Sequence, residues 1–312
     1  MIVLKNLLLS VVSILILLFM IEGALRLKNS NMKNYDIEMW KYAKELKRSH
    51  PILGHIHLTN KSAILQGVKI SLNSYGMRSL EPTKDYKRRI LFLGSSITLG
   101  WGVNYDETMV AKLQAKFNDL NSSTEVLNGA IGNYNTVRYT ELFFEKFTEL
   151  KPTDIVVHYF INDAEVLPLG GGNWFLRNSQ LAVTLWIAYQ RVIATGNKGL
   201  IDHYDKVYNP QYEGYIKMKK ALEKLSKYAK ENKINLYLAM SPDIHFLKDY
   251  PFKKQHKQMD ELAQSLEYKF IDLFPSLEGI PFIEAQAMPG DAHPNSKVHE
   301  LMANEIFKAL EK

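Results

Sequence analysis

Cysteine is absent from the 312-residue chain. That absence excludes disulfides, thiolate metal sites, a cysteine nucleophile and lipoprotein acylation. Dense tracts of one charge are missing too. The formal charge is +6, but the lysines are dispersed, with Lys217, Lys219, Lys220, Lys224, Lys227 and Lys230 sharing one polar helical stretch. Without an arginine tract or interleaved aromatics, this is a solvated helix face, and no nucleic-acid partner is expected. There is no internal repeat and no low-complexity tract. With 46% apolar and 23% charged residues the composition is that of a folded globular chain. Three motifs also fail. Residues 94–102 lack the lysine of a phosphate-binding P-loop, and His299-Glu300 lacks the second histidine of a zinc helix. No serine here sits in a Gly-x-Ser-x-Gly elbow like that of α/β-hydrolases.

One long apolar run is present. Residues 6–21 are almost unbroken Leu, Ile, Val, Ser, Phe and Met, preceded by Lys5 and followed by Glu22, Arg26 and Lys28. Extended through Gly23-Ala24-Leu25, the run has roughly the 20 residues a helix needs to cross a bilayer core. No small-x-small cleavage site precedes Arg26, so the expectation is an uncleaved, single-pass signal anchor over residues 1–28. Charge on both flanks leaves the positive-inside rule nearly neutral.

Residues 29 to about 50 are polar and helix-prone, which suggests a stalk. The rest of the lead-in, to residue 87, carries a short alternating strand around Ile70 and a turn at Asn73-Ser74-Tyr75-Gly76. From residue 88 onward apolar strands alternate with amphipathic helices. The strands are expected at 89–93, 125–127, 154–161, 234–240 and 269–273. The helices are expected at 106–120, 136–149, 179–194, 213–231, 252–266 and 296–310. Short, nearly continuous apolar strands between such helices predict an α/β domain over 88–312. It should be a three-layer α/β/α sandwich around a central five-stranded, mainly parallel sheet. Residues 164–212 are too long for a simple strand-to-helix link. They hold Gly170-Gly171-Gly172, Trp174, Phe175 and a helix-like apolar run, and read as an insertion, either a lid or a packing element.

Ligands bind beyond the carboxyl ends of strands in an open parallel sheet. Each such end here carries suggestive residues. Gly94-Ser95-Ser96 follows the first strand, and Ser96 can present a hydroxyl while its own N–H faces an anion. Asn128-Gly129-Ala130-Ile131-Gly132-Asn133 follows the second and brings backbone N–H groups close to a ligand. Asn162 ends the third and offers a side-chain donor. Near the C-terminus, Asp291-Ala292-His293 can form an oriented base. Serine followed much later by Asp-x-His is the pattern of a hydrolase using an activated hydroxyl.

These blocks resemble the SGNH/GDSL hydrolases. Gly94-Ser95-Ser96-Ile97-Thr98-Leu99-Gly100 is similar to that family's first block, Phe160-Ile161-Asn162-Asp163 to its third, and Asp291-Ala292-His293-Pro294-Asn295 to its last. Asn73-Ser74-Tyr75-Gly76-Met77-Arg78 resembles a segment that precedes the first block in membrane-anchored members. The resemblance covers roughly residues 50–312 and implies a flavodoxin-like sheet. It makes Ser96 the nucleophile, His293 the base and Asp291 its orienting partner. The oxyanion donors it implies are the Ser96 N–H, the Asn162 side chain and the N–H of Gly132 or Asn133. It implies no metal and no organic cofactor. Three departures stand out: Ser95 replaces an aspartate, the last block is Asp-x-His instead of Asp-x-x-His, and Asn133 falls at the oxyanion glycine. The expected function is hydrolysis of an acyl ester, with acetyl groups on an envelope glycan as substrate and an extracytoplasmic location. The alternatives are an O-acyltransferase acting on a surface polysaccharide and a catalytically silent glycan-binding protein. The sequence carries no signal of oligomeric state.

Overall fold

The computed structural model describes residues 2–30, 34–168, 173–193 and 196–311. Two helices lead, α1 (Ile2–Asn29) and α2 (Tyr35–Glu45), followed by hairpins β1 (Lys47–His50) with β2 (Gly54–His57) and β3 (Ser62–Leu65) with β4 (Val68–Ser71). The larger unit then runs β5 (Arg88–Leu93), α3 (Ser96–Leu99), α4 (Met109–Asp119), β6 (Thr124–Asn128), α5 (Thr136–Leu142), β7 (Asp154–Phe160). An insertion follows, α6 (Trp174–Asn178), α7 (Gln180–Ile193) and α8 (Gly196–Val207). The chain then completes α9 (Glu213–Asn232), β8 (Asn235–Ser241), α10 (Lys253–Ser265), β9 (Lys269–Asp272), α11 (Phe282–Ala285) and α12 (Ser296–Leu310).

Strands β5 to β9 form one sheet in the order β6-β5-β7-β8-β9, every neighbouring pair parallel. Ile90, Leu91, Phe92 and Leu93 are buried, as are residues Ile155 to Val157, which is what a sheet covered on both faces requires. Helix α4 packs on α12 and α5 on α9. The order places the switch in winding direction at β5, between β6 and β7, where a crevice opens beyond the strand ends. Side chains that accept first-turn N–H groups set the helix starts: Thr108 for α4, Asn135 for α5 and Asn295 for α12.

The expected strands all occur, shifted by a residue or so. The helix expected over 136–149 stays α-helical only to Leu142, then widens into a π turn over Phe143–Phe147 and a tight turn over Thr148–Leu150. Phe143 and Phe147 are buried there, and Phe144 lies edge-on against Tyr228. The insertion holds three helices where one was expected. The Gly170-Gly171-Gly172 run lies outside the described residues.

The stalk expected from residue 29 to about 50 is a correction. Helix α2 is packed onto the domain, with Tyr42 and Leu46 fully buried in a second apolar cluster beside Leu65, Ile70, Leu99 and Trp101. Its polar residues cover only the outer face, so composition alone hid the buried stripe. Helix α1 is the one described helix long and apolar enough to cross a membrane, and none of its residues is buried.

Candidate active site

Three strand ends and the loop before α12 meet at the switch point. Ser96 opens α3 directly after β5. The turn is tight: a Cβ on Gly94 would meet Thr98 Oγ1 at 2.1 Å, so glycine is needed for the helix to fold back on the strand. The Ser96 Oγ lies 2.8 Å from His293 Nε2, and His293 Nδ1 lies 2.6 Å from Asp291 Oδ1. The same carboxylate oxygen accepts the His293 backbone N–H at 3.1 Å. The short Asp-x-His spacing therefore closes an Asx-type turn in which one oxygen fixes both ring and backbone of the histidine. With Nδ1–H donating to Asp291, Nε2 is left to accept the Ser96 proton. Burial alone would raise the Asp291 carboxyl; the hydrogen bonds and charge of His293 outweigh it and hold the pKa below the ordinary value.

A cavity of about 250 Å³ opens in front of this relay, lined by Ser96, Asn133, Phe160, Asn162, Leu167 and His293 among others. Asn162 is exposed on the turn after β7, facing that space. Its neighbour Asp163 is buried and accepts the Tyr139 hydroxyl at 2.9 Å. Gly132 and Asn133 are separated by their partners. The Gly132 N–H donates to the Tyr42 hydroxyl at 3.0 Å, and its carbonyl accepts Lys47 Nζ at 2.7 Å and His55 Nε2 at 3.1 Å. Asn133 lines the cavity with φ +65°, a left-handed angle asparagine tolerates. Peptide planarity turns the Asn133 N–H away from the anchored Gly132 carbonyl. Of the two, Gly132 has its N–H taken by Tyr42.

Most supporting groups come from the lead-in, where only the 73–78 segment gave a signal in the sequence. Tyr35, at the start of α2, stacks on the His293 ring with centroids 5.5 Å apart and planes at 29°. Trp101 lies 6.4 Å from the same ring and meets Tyr35 edge-on at 6.4 Å. Lys47 is buried, lies 3.9 Å over the Tyr42 ring, and has its pKa pushed well below the usual lysine value by burial and by the Arg138 and Arg177 charges. Gln66, on the β3–β4 turn at φ +50°, sits close enough to lower the Asp291 pKa. Yet neither its amide nor Asp291 Oδ2 completes a hydrogen bond of good geometry. The segment 73–78 has a mechanical role: Asn73 Oδ1 accepts the N–H groups of Tyr75 and Met77. Arg78 donates to the carbonyls of Leu99, Gly100 and Val103, tying down the loop after Ser96. Below the cavity, burial lowers the His158 pKa to about 3. The neutral ring bridges Thr98 Oγ1 at 2.7 Å and Ser241 Oγ at 2.5 Å. Among the described residues no group of three His, Asp or Glu side chains is placed to hold a metal ion.

The chain is similar to several solved structures. The crystal structure of TesA is 14% identical over 72% of this chain and 98% of that one, with a TM-score of 0.48. The psychrotrophic esterase EstA from Pseudoalteromonas sp. is 16% identical over 72% and 97%, with a TM-score of 0.44. A catalytic mutant of Axe2, an acetylxylan esterase from Geobacillus stearothermophilus, is 15% identical over 72% and 94%, with a TM-score of 0.48. No family model and no curated protein matches the chain. The reading of the site rests on the strand order and distances described above.

Proposed function

We propose that the chain is a serine ester hydrolase of the SGNH/GDSL type. The observation that carries this reading is the unbroken relay Asp291–His293–Ser96 opening onto a cavity that Asn162 also lines. In the first half-reaction Ser96 Oγ bonds to the acyl carbon while His293 Nε2 takes its proton. The tetrahedral oxyanion receives hydrogen bonds from the N–H groups of Ser96 and Asn133 and from the Asn162 side chain. Collapse breaks the ester C–O bond, and His293 returns the proton to the departing alcohol. Water then attacks the acyl-enzyme, His293 again accepting a proton, and the acid leaves as Ser96 is regenerated.

The small cavity supports a short acyl group such as acetyl. Residues 1–28 are assigned as a membrane anchor and 88–312 as the catalytic domain, with the lead-in between them as part of the active-site wall. An extracytoplasmic location and an ester on an envelope glycan fit this arrangement. The test is p-nitrophenyl acetate hydrolysis by the wild type beside Ser96→Ala and His293→Ala. Loss of turnover in both variants is expected; a wild type no faster than Ser96→Ala would refute the esterase.

A further inference from the structure

The insertion between β7 and α9 exposes apolar surface that the catalytic reading does not use. On α7, Leu185, Tyr189 and Val192 are 62%, 62% and 84% exposed, and their spacing of four and three places them along one helical stripe. On the adjoining α6, Trp174 and Phe175 stand edge-to-face with 5.2 Å between centroids, and both are exposed. Elsewhere on α7, Val183 is buried, and Trp186, itself 36% exposed, meets Trp40 of α2 edge-on at 6.4 Å.

What lies next to this surface identifies its occupant. The α6–α7 junction is fastened to α1 by Glu22, whose carboxylate accepts Ser179 Oγ at 2.9 Å and the N–H groups of Gln180 and Leu181 at 3.0 and 2.9 Å. Arg26 reaches the Asn178 carbonyl at 2.7 Å, and Asn29 the Gln180 side chain at 2.9 Å. Glu22 is the first charged residue after the apolar run of α1. Residues 2–21 span about 30 Å as a helix, the thickness of a bilayer core. The junction is thereby held where hydrocarbon gives way to headgroups, the depth at which tryptophan and other amphipathic rings concentrate. From that point α7 runs along α2 with its apolar stripe facing outward.

We infer that the outer face of α6 and α7 lies in the interfacial layer of the bilayer beside α1, so that the catalytic domain rests on the lipid surface. The inference builds on the assignment of α1 as an anchor. The α2 helix, seated between this surface and the active site, carries Tyr35 onto His293. The reactive serine is thus fixed close to the membrane instead of swinging on a stalk.

The absence of native cysteine makes the test direct. The full chain is reconstituted into vesicles of mixed zwitterionic and anionic phospholipid, with one nitroxide at a time on Leu185→Cys, Tyr189→Cys or Val192→Cys. Collision rates with oxygen, which concentrates in lipid, are compared with those of a water-soluble nickel chelate. Leu15→Cys in α1 and Lys220→Cys on the polar face of α9 serve as lipid and water references. The expected result is an oxygen-to-nickel ratio at 185, 189 and 192 several-fold above that at 220. Ratios equal to that at 220, with Leu15→Cys lipid-exposed, would overturn the inference while leaving the anchor intact. Low access to both reagents would mean that protein, from this chain or a second copy of it, covers the face and would overturn it equally. A water-exposed Leu15→Cys would instead remove the anchor on which the inference is built.

Discussion

The groups proposed to react and the groups that hold them come from different regions of the chain. Ser96, Asn133 and Asn162 lie on loops at the carboxyl ends of β5, β6 and β7, and Asp291 with His293 on the loop before α12. Tyr35, Tyr42, Lys47, His55, Gln66 and Arg78 belong to the lead-in, which contributes no strand to the main sheet. The first set is ordered by the sheet and, Asp291 apart, lines the cavity, where Tyr35 of the second set joins it. The second approaches from outside and fixes peptides and rings through buried hydrogen bonds and stacking. The contrast teaches that this site is completed by a segment whose composition reads as a polar spacer.

Substitutions can break the comparison, and the largest effects should fall on the sheet side. Ser96→Ala should lower turnover by roughly 10⁴- to 10⁶-fold, since triad members act as a unit. Asn162→Ala should cost about 10²- to 10³-fold in kcat, the usual cost of one oxyanion donor, with little change in KM. On the lead-in side, Lys47→Met removes the strongest anchor on the Gly132 carbonyl and lets the Asn133 N–H drift. A loss of about 10- to 10²-fold in kcat is expected for such a displacement, whereas Lys47→Arg keeps a donor and should recover part of it. If Lys47→Met leaves kcat untouched, the lead-in does not orient the oxyanion donor.

How much of this was legible in the sequence follows the same division. The five parallel strands could be read because each is short, apolar and bounded by polar helices, and the residues proposed to react could be singled out because a parallel sheet presents them at strand ends. The spacing Asp291-x-His293 was visible, but the closed turn that makes one oxygen serve both ring and N–H was not. The preference proposed for Asn133 over Gly132 rests on Tyr42, ninety residues upstream, which occupies the Gly132 N–H. Contacts of that separation leave no local period or motif. The buried stripe of α2 was hidden because Met39, Tyr42 and Leu46 alternate with charged residues on an exposed outer face. Lys47 was hidden because a buried lysine looks like a surface one until its carbonyl partner is known.

Two smaller effects sharpen the comparison. Tyr35→Ala should reduce kcat several-fold, in keeping with about 0.5–1.5 kcal/mol for a ring contact, while Tyr35→Phe should be near wild type because the stacked ring is retained. The last concerns whether the two regions fold as one. Burial lowers the pKa of His55 to about 2 and those of His57, His158 and His299 to about 3, two histidines in the lead-in and two in the domain. Free histidine titrates near pH 6.5. Between those values the unfolded chain binds protons that the folded chain does not, so stability rises with pH and is lost as pH falls below about 6.5. Asp163, whose carboxyl burial raises, and His245, raised by its hydrogen bond to Asp243, oppose this with two protons against four. Calorimetry from pH 7 to 4.5 should show a single unfolding transition moving steadily down. Two transitions would mean that the lead-in melts apart from the sheet.

The central claim is that His293, oriented by Asp291, makes Ser96 and not the adjacent Ser95 the nucleophile. Ser95 Oγ instead accepts the Tyr134 N–H at 3.3 Å. Treatment with a fluorophosphonate followed by peptide mass spectrometry tests this directly. The predicted result is one phosphonyl adduct, on Ser96, absent from Ser96→Ala and strongly slowed in His293→Ala. An adduct on Ser95, or labelling of Ser96 at the same rate without His293, would contradict the account.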